Sequence, residues 1–155
     1  RAAARATLRV CREGPVARHV WSVGGRLRSG VVEQGTRKGV PVSLSGPGPR
    51  MTFHFEPLPG LSEHLQLSLF IQECLVRGVL HNGHLLPSYA HGSLDVERTL
   101  EVFDQALEGV ARARLHGTAD GLLHMRPFQR MVDVWSARMK TYQAAERAAQ
   151  ARSDG

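Results

Sequence analysis

Four consecutive residues, Gly46-Pro47-Gly48-Pro49, constrain this chain more than any others. Proline fixes φ and has no N–H to give, while glycine gains nothing from being ordered, so neither a helix nor a strand ladder runs through such a stretch. It must be a turn. On its N-terminal side lies Val40-Pro41-Val42-Ser43-Leu44-Ser45. On its C-terminal side Met51, Phe53 and Phe55 alternate with Thr52, His54 and Glu56. That period of two predicts strands, the second with one buried face and one wet face. The rest of the chain has helical periodicity, so the turn sets a small sheet into a helical protein.

Upstream, residues 2–12 show a short helical pattern with Ala4, Leu8 and Cys11 on one face. Gly14-Pro15 interrupts it, and Pro15 suits the first position of a new helix. Val16, Val20, Val23, Leu27 and Val31 recur every three or four residues, which predicts an amphipathic helix over 15–35 stopped by Gly35 and Gly39. Downstream, residues 61–76 are apolar apart from a thin polar edge of Gln66, Gln72 and Glu73, the pattern of a helix buried almost all round. Gly78 ends it. Val79-Leu80 and Ser88-Tyr89-Ala90 read as short extended pieces flanking a loop over 81–87. From Ser93 to Leu115 a stripe of Val96, Leu100, Phe103, Leu107 and Val110 faces inward. Glu97, Arg98, Glu101, Asp104 and Glu108 face out. Residues 117–125 are a linker, and Phe128, Trp135, Met139 and Tyr142 mark a further amphipathic helix over 126–152.

The order α-α-β-β-α-β-α-α predicts an α+β fold: a small antiparallel sheet of about three short strands covered by helices on one face, plus an extra C-terminal helix. With 155 residues, 42% of them hydrophobic, the chain can bury a core of its own. No stretch approaches the roughly 18–20 consecutive apolar residues of a membrane span. The chain opens at Arg1 inside a helical pattern, as a piece of something longer does. Cys11 and Cys74 are too few for a disulfide framework and predict reduced thiols in the cytoplasm.

The net charge of +6 raises the question of nucleic acid. Its distribution argues against that. Residues 1–50 carry ten Arg or Lys against Glu13 and Glu33, while residues 51–116 carry four Arg against eight acidic residues. The arginines are spread along helices instead of forming a patch interleaved with aromatics.

Candidates for chemistry are few. His81, Asn82, His84 and His91 form the densest polar group. If the histidines converged they could hold a metal, but a metal site needs three or four ligands of defined geometry. Otherwise they line a groove or cap the following helix. Cys74 sits in an apolar run and predicts an inert core thiol. No G-x-S-x-G surrounds Ser45 or Ser88. Two prolines disqualify the 46–49 turn as a phosphate cradle. Lys38 and Lys140, at an exposed helix end and on a polar helix face, lack the desolvated pocket of a Schiff-base lysine. The sequence alone predicts no self-contained active site.

Several stretches together resemble a known family. Gly14-Pro15-Val16 and Gly25-Arg26-Leu27-Arg28-Ser29-Gly30 are followed by Val42-Ser43-Leu44-Ser45-Gly46 and Pro49-Arg50-Met51-Thr52-Phe53. Then come Phe70 to His81 with Gly78-Val79-Leu80, Ser88-Tyr89-Ala90-His91, and Asp95-Val96-Glu97-Arg98-Thr99-Leu100. This series is similar to the C-terminal small domain of class-III, fold-type-I aminotransferases, nearest the glutamate-1-semialdehyde 2,1-aminomutase-like group. The likeness spans about 1–115 and includes no catalytic motif. Where relatives often carry Thr after Ala-His, this chain has Gly92, and Ser93 is the substitute helix cap.

The resemblance implies a C-terminal portion, residues 1–116, of a pyridoxal 5′-phosphate-dependent aminotransferase or aminomutase. It implies a catalytic lysine in a large domain upstream, or in a second subunit, which this portion closes over. It further implies an amino-acid-like or keto-acid substrate and a homodimeric parent enzyme. His81, Asn82 and His84 then fall on the substrate rim, with Arg50 a further rim candidate, and residues 1–155 alone are inactive. The rival expectation is a non-enzymatic α+β interaction module, or a metal-binding domain built on the histidine loop.

Overall fold

A computed structural model of the chain describes residues 2–128 and 139–141. Among these, four helices and three strands follow in the order α1 (Ala2–Glu13), α2 (Val16–Arg37), β1 (Val42–Ser45), β2 (Met51–Phe55), α3 (Glu63–Leu75), β3 (His84–Leu85) and α4 (Ser93–His116). The strands form one antiparallel sheet with β2 in the middle. Val42 pairs with Phe55 and Ser45 with Thr52, while Met51 and Thr52 pair with Leu85 and His84. This is the α+β arrangement expected from the sequence.

The period of two in β2 decides which way the sheet faces. Met51, Phe53 and Phe55 are buried together with Val42, Leu44 and Leu85, and the helices cover that side. Phe53, Phe70 of α3 and Phe103 of α4 form an aromatic cluster with ring centroids 5.1–5.6 Å apart. Each such ring contributes about 1.5–3 kcal/mol by leaving water, and more through edge contacts. Ser43, Ser45, Thr52 and His54 fall on the opposite, wetter face.

α2 lies close to its neighbours because it carries glycines where it touches them. A Cβ on Gly24 would collide with the carbonyl of Gly48 in the hairpin turn. One on Gly30 would stand 2.5 Å from Cδ2 of Leu100 on α4. The basic end of α2 meets the acidic face of α4: Arg37 and Lys38 pair with Asp104 at 3.2 and 3.1 Å, and Lys38 with Glu108 at 3.1 Å. Part of the charge imbalance between the first fifty residues and the next sixty-six is thereby neutralised internally. Lys38 is accordingly not an exposed helix end. Its ammonium is partly desolvated, yet hydrogen bonds and charge from the two carboxylates keep its pKa above the usual lysine value.

Several expectations are corrected. The third strand is not at 79–80 or 88–90 but at His84–Leu85, inside the stretch read as loop. Two residues are too few to show a period, and the partners that define them lie some thirty positions upstream. Gly35 does not stop α2; it is buried inside the helix against Val42 and the Val40 carbonyl, and the left-handed Gly39, at φ 65°, follows the end. The polar edge of the buried helix over 61–76 finds its partners inside the protein. Gln66 is buried and donates to the carbonyls of Glu56 and Leu61, and its Oε1 accepts from Arg114 at 2.7 Å. Gln72 clasps the segment after α4: it donates to the Leu122 carbonyl at 2.8 Å and accepts from the His124 amide at 2.7 Å. Ala119, Leu122 and Leu123 pack with Leu61 and Leu69, so the expected linker is docked on α3 up to Phe128, whose amide donates to Ser68. Ser93 does not cap α4. The N-cap is Gly92, whose amide donates to the Asp95 carboxylate at 2.8 Å. The helix expected over 126–152 lies almost wholly outside the described residues.

α1 buries no residue, and Leu8 and Val10 on it are exposed. No helix among the described residues is long and apolar enough to cross a membrane.

Candidate functional site

Between α2, the segment 79–91 and the first turns of α4 lies a groove of about 490 Å³. Val23 and Leu27 form one wall and Val96 and Thr99 another. The segment from Val79 to Pro87 makes the floor and rim. The sequence builds it this way because Gly78 and Gly83, at φ 86° and 83°, turn the chain out of α3 and back along β2. The edge pairing of His84–Leu85 with Met51–Thr52 then holds it there.

His81 fixes the local conformation. Its Nδ1 accepts the amide N–H of Gly83 at 3.2 Å, which places the ring proton on Nε2. Nε2 is buried without a hydrogen-bond partner, and the ring centre is 5.3, 5.4 and 5.9 Å from those of Phe53, Phe70 and Phe103. An N–H held among ring faces is a weak but favourable arrangement. An imidazolium there is strongly disfavoured, and burial pushes the pKa down to about 4. His81 is therefore neutral at physiological pH and belongs to the wall of the core as much as to the groove.

His84 is half-buried, and its Nδ1 lies 2.9 Å from the Thr52 hydroxyl across the β2–β3 pair. Asn82 is exposed at the tip of the turn. His91 also lines the groove: its Nδ1 accepts the Ser88 amide N–H at 2.8 Å, and its carbonyl accepts from Nε2 of His19 at 2.8 Å. The structure thus brings His81, Asn82 and His84 together at one groove. Arg50 is not among its lining residues; it sits exposed on the β1–β2 turn.

The groove has apolar walls, imidazoles and one carboxylate, Asp95, and neither lysine nor arginine lines it. No activated nucleophile is present in it. Cys74 is fully buried, and desolvation drives its thiol far above the range in which a thiolate forms. Among the described residues no three His, Cys, Asp or Glu side chains are placed to hold a metal ion. The groove can bind, orient and exclude water. Sequence reasoning missed Asp95, Thr99 and the Val23–Leu27 wall as groove residues. Their helical stripes predict burial but not which end of the stripe is left uncovered.

No family model matches the sequence, and no curated protein matches it. Solved structures do. A Sphingopyxis sp. FumI protein in its PLP internal aldimine form superposes with a TM-score of 0.65 at 27% identity, over 82% of this chain and 28% of its own. An omega-transaminase from Sphaerobacter thermophilus superposes at 0.54 and 26% identity, over 61% of this chain and 24% of its own. The fold is similar to that of the matching portion of these transaminases. A transaminase with PLP bound, 16% identical at a TM-score of 0.55, adds a likeness of fold alone. The chain spans about a quarter of the length of these proteins.

The described residues do not form a site for pyridoxal phosphate. Covalent attachment requires a lysine amine with a free lone pair in a desolvated pocket. The Lys38 ammonium is instead committed to two carboxylates on the far side of α4 from the groove. Lys140 is exposed.

Proposed function

We propose that this chain is the small-domain portion of a PLP-dependent aminotransferase, closing over an active site whose cofactor and catalytic lysine reside in a large domain or a second subunit. What supports this reading is the likeness of fold to part of solved transaminases, together with a groove lined by three of the four residues that the resemblance assigns to the substrate rim. In this reading residues 1–116 are the small domain, 117–125 the connection and 126–152 an added helix. The parent is a homodimeric cytoplasmic enzyme of the class-III, glutamate-1-semialdehyde aminomutase-like group, acting on an amino-acid-like or keto-acid substrate.

The chain's own residues contribute orientation and exclusion of water. Asn82 offers an amide to a polar group of the substrate. His84, braced by Thr52, presents its other ring nitrogen towards the rim. His81 acts by holding the turn that positions both. Arg50 reaches substrate only if the large domain docks against the hairpin turn. α1, which buries no residue and leaves Leu8 and Val10 exposed, is the natural place for the large domain to cover.

The test is complementation. Residues 1–155 incubated with pyridoxal phosphate should give no absorbance band that survives dialysis. Mixed with, or joined to, a cofactor-binding large domain of this family, they should restore amino-group transfer. His84→Ala should then raise KM about tenfold, the value of one hydrogen bond of ~1.4 kcal/mol. A dialysis-stable lysine-linked band on the chain alone, or failure of the joined protein to transaminate, refutes the assignment.

A further inference from the structure

The solvent side of the sheet carries a group the groove does not use. Ser45 Oγ lies 2.8 Å from Nε2 of His54, and Nδ1 of the same ring lies 3.0 Å from Oε1 of Glu63, the first residue of α3. A carboxylate only accepts, so Nδ1 carries the ring proton, Nε2 carries the lone pair, and the Ser45 hydroxyl donates to it. That is the connectivity of a nucleophile, a general base and a carboxylate that orients the base. The fold enforces it. Ser45 and His54 lie two residues apart on the same face across the β1–β2 pair, and Ser62 caps α3 so that Glu63 begins the helix beside them.

Two further features suit acyl transfer. β1 is an edge strand. The Phe53 amide is used away from β1, on the Gly83 carbonyl. By the alternation of an antiparallel ladder, the backbone of Ser45 therefore turns towards β2 and the amide of Gly46 towards the open edge. The residue after the serine thus keeps a donor available for a developing oxyanion. Beside His54, on the side of Ser43, there is also a cavity of about 280 Å³ bordered by Pro41, Ser43, Glu56 and Glu63; Ser45 is not among its lining residues. The cavity's two carboxylates repel anions and favour a neutral or cationic group beside the base.

We propose that Ser45, His54 and Glu63 form a second, hydrolytic site that cleaves neutral or cationic esters. Ser45 Oγ bonds to the ester carbonyl carbon as its proton passes to Nε2 of His54. Collapse of the tetrahedral species breaks the carbon–oxygen bond, and the proton goes to the departing alcohol. Water, deprotonated by the same Nε2, then attacks the acyl-serine; the acyl carbon–Oγ bond breaks, the proton returns to Ser45 Oγ and the carboxylic acid leaves. Ser45 and His54 are the catalytic residues, and Glu63 is a positioning residue.

The experiment uses the 155-residue chain with two probes, diisopropyl fluorophosphate and p-nitrophenyl acetate. The fluorophosphate should add one diisopropylphosphoryl group, found by mass spectrometry on Ser45. His54→Ala should slow that labelling at least about 100-fold, the usual value of a general base. Ser29→Ala, on the exposed side of α2, should leave it unchanged. Ester hydrolysis should be lost in Ser45→Ala. In Glu63→Gln it should fall in kcat at unchanged KM, with part of the rate returned by Glu63→Asp. Circular dichroism of each variant should match the parent chain. An unlabelled Ser45, or labelling at the same rate in His54→Ala, overturns the proposal.

Discussion

Mild acid should destabilise this protein through His81. In the native state the ring is caged by Phe53, Phe70 and Phe103, with a pKa lowered to about 4, against 6.5 when exposed. Between those values the unfolded chain binds a proton that the native state refuses. Stability therefore rises with pH across the window, is complete above about 6.5, and is lost as pH falls towards 4. Each pH unit is worth ~1.4 kcal/mol, so the cost on going from pH 6.5 to 5 is about 2 kcal/mol, and about 3 kcal/mol by pH 4. Against a total of roughly 5–15 kcal/mol for a domain, that is a visible loss. The assay is urea unfolding followed by tryptophan fluorescence at pH 7, 6 and 5, on the parent chain and on His81→Phe. Phenylalanine keeps the ring in the cage but removes the titration. It also leaves the Gly83 amide without its acceptor, which lowers stability by ~1 kcal/mol equally at every pH. The other seven histidines are common to both proteins, so the difference in pH slope isolates His81. Equal losses in the two proteins between pH 7 and 5 would refute the cage argument.

Three further outcomes are expected. Gly24→Ala should destabilise the chain by about 1–3 kcal/mol, because the new methyl meets the backbone of Gly48 and overpacking outweighs the helix-propensity gain of ~1 kcal/mol; thermal unfolding measures it. Gln72→Ala removes both bonds to the segment after α4, and amide exchange at Leu122–His124 should accelerate at least about tenfold while that of α2 is unchanged. A thiol reagent such as dithionitrobenzoate should modify one cysteine in the folded chain, the exposed Cys11, and both in urea. Rapid native labelling of Cys74 would contradict its burial.

The fold was readable where a pattern ran long enough to have a period. The β2 alternation, the breaker turn and the α4 stripe each state which side faces the core, and the structure agrees at Phe53, Phe103 and Val110. What the sequence hid depends on partners far along the chain. His84–Leu85 becomes a strand only because Thr52 and Met51 lie alongside. Gln66 and Gln72 read as a thin polar edge on a buried helix, but their partners, Arg114 and the 122–124 backbone, lie too far along the chain to be foreseen. At the groove, the clustering of His81, Asn82 and His84 was visible in the sequence. That His81 turns inward to the phenylalanines was not, since a histidine's direction is set by register and not by spacing. Ser45, His54 and Glu63 illustrate the same limit, because their grouping follows from a strand pairing and a helix cap acting together.

The two close approaches of α2 have a consequence for the groove it borders. Val23 and Leu27 stand on the same helix as Gly24 and Gly30, so the helix that walls the groove is held at its distance by methyl groups that are missing. The aperture is set like the jaw of a caliper, with Gly48 at one stop and Leu100 at the other. A single added carbon at Gly24 meets backbone and tips the wall outward without altering any residue that faces the cavity, whereas one at Gly30 meets only the movable end of Leu100. Descendants of this sequence could therefore change the bulk of molecule they admit by mutations that never touch it. A comparison confined to the groove's lining would not detect the change.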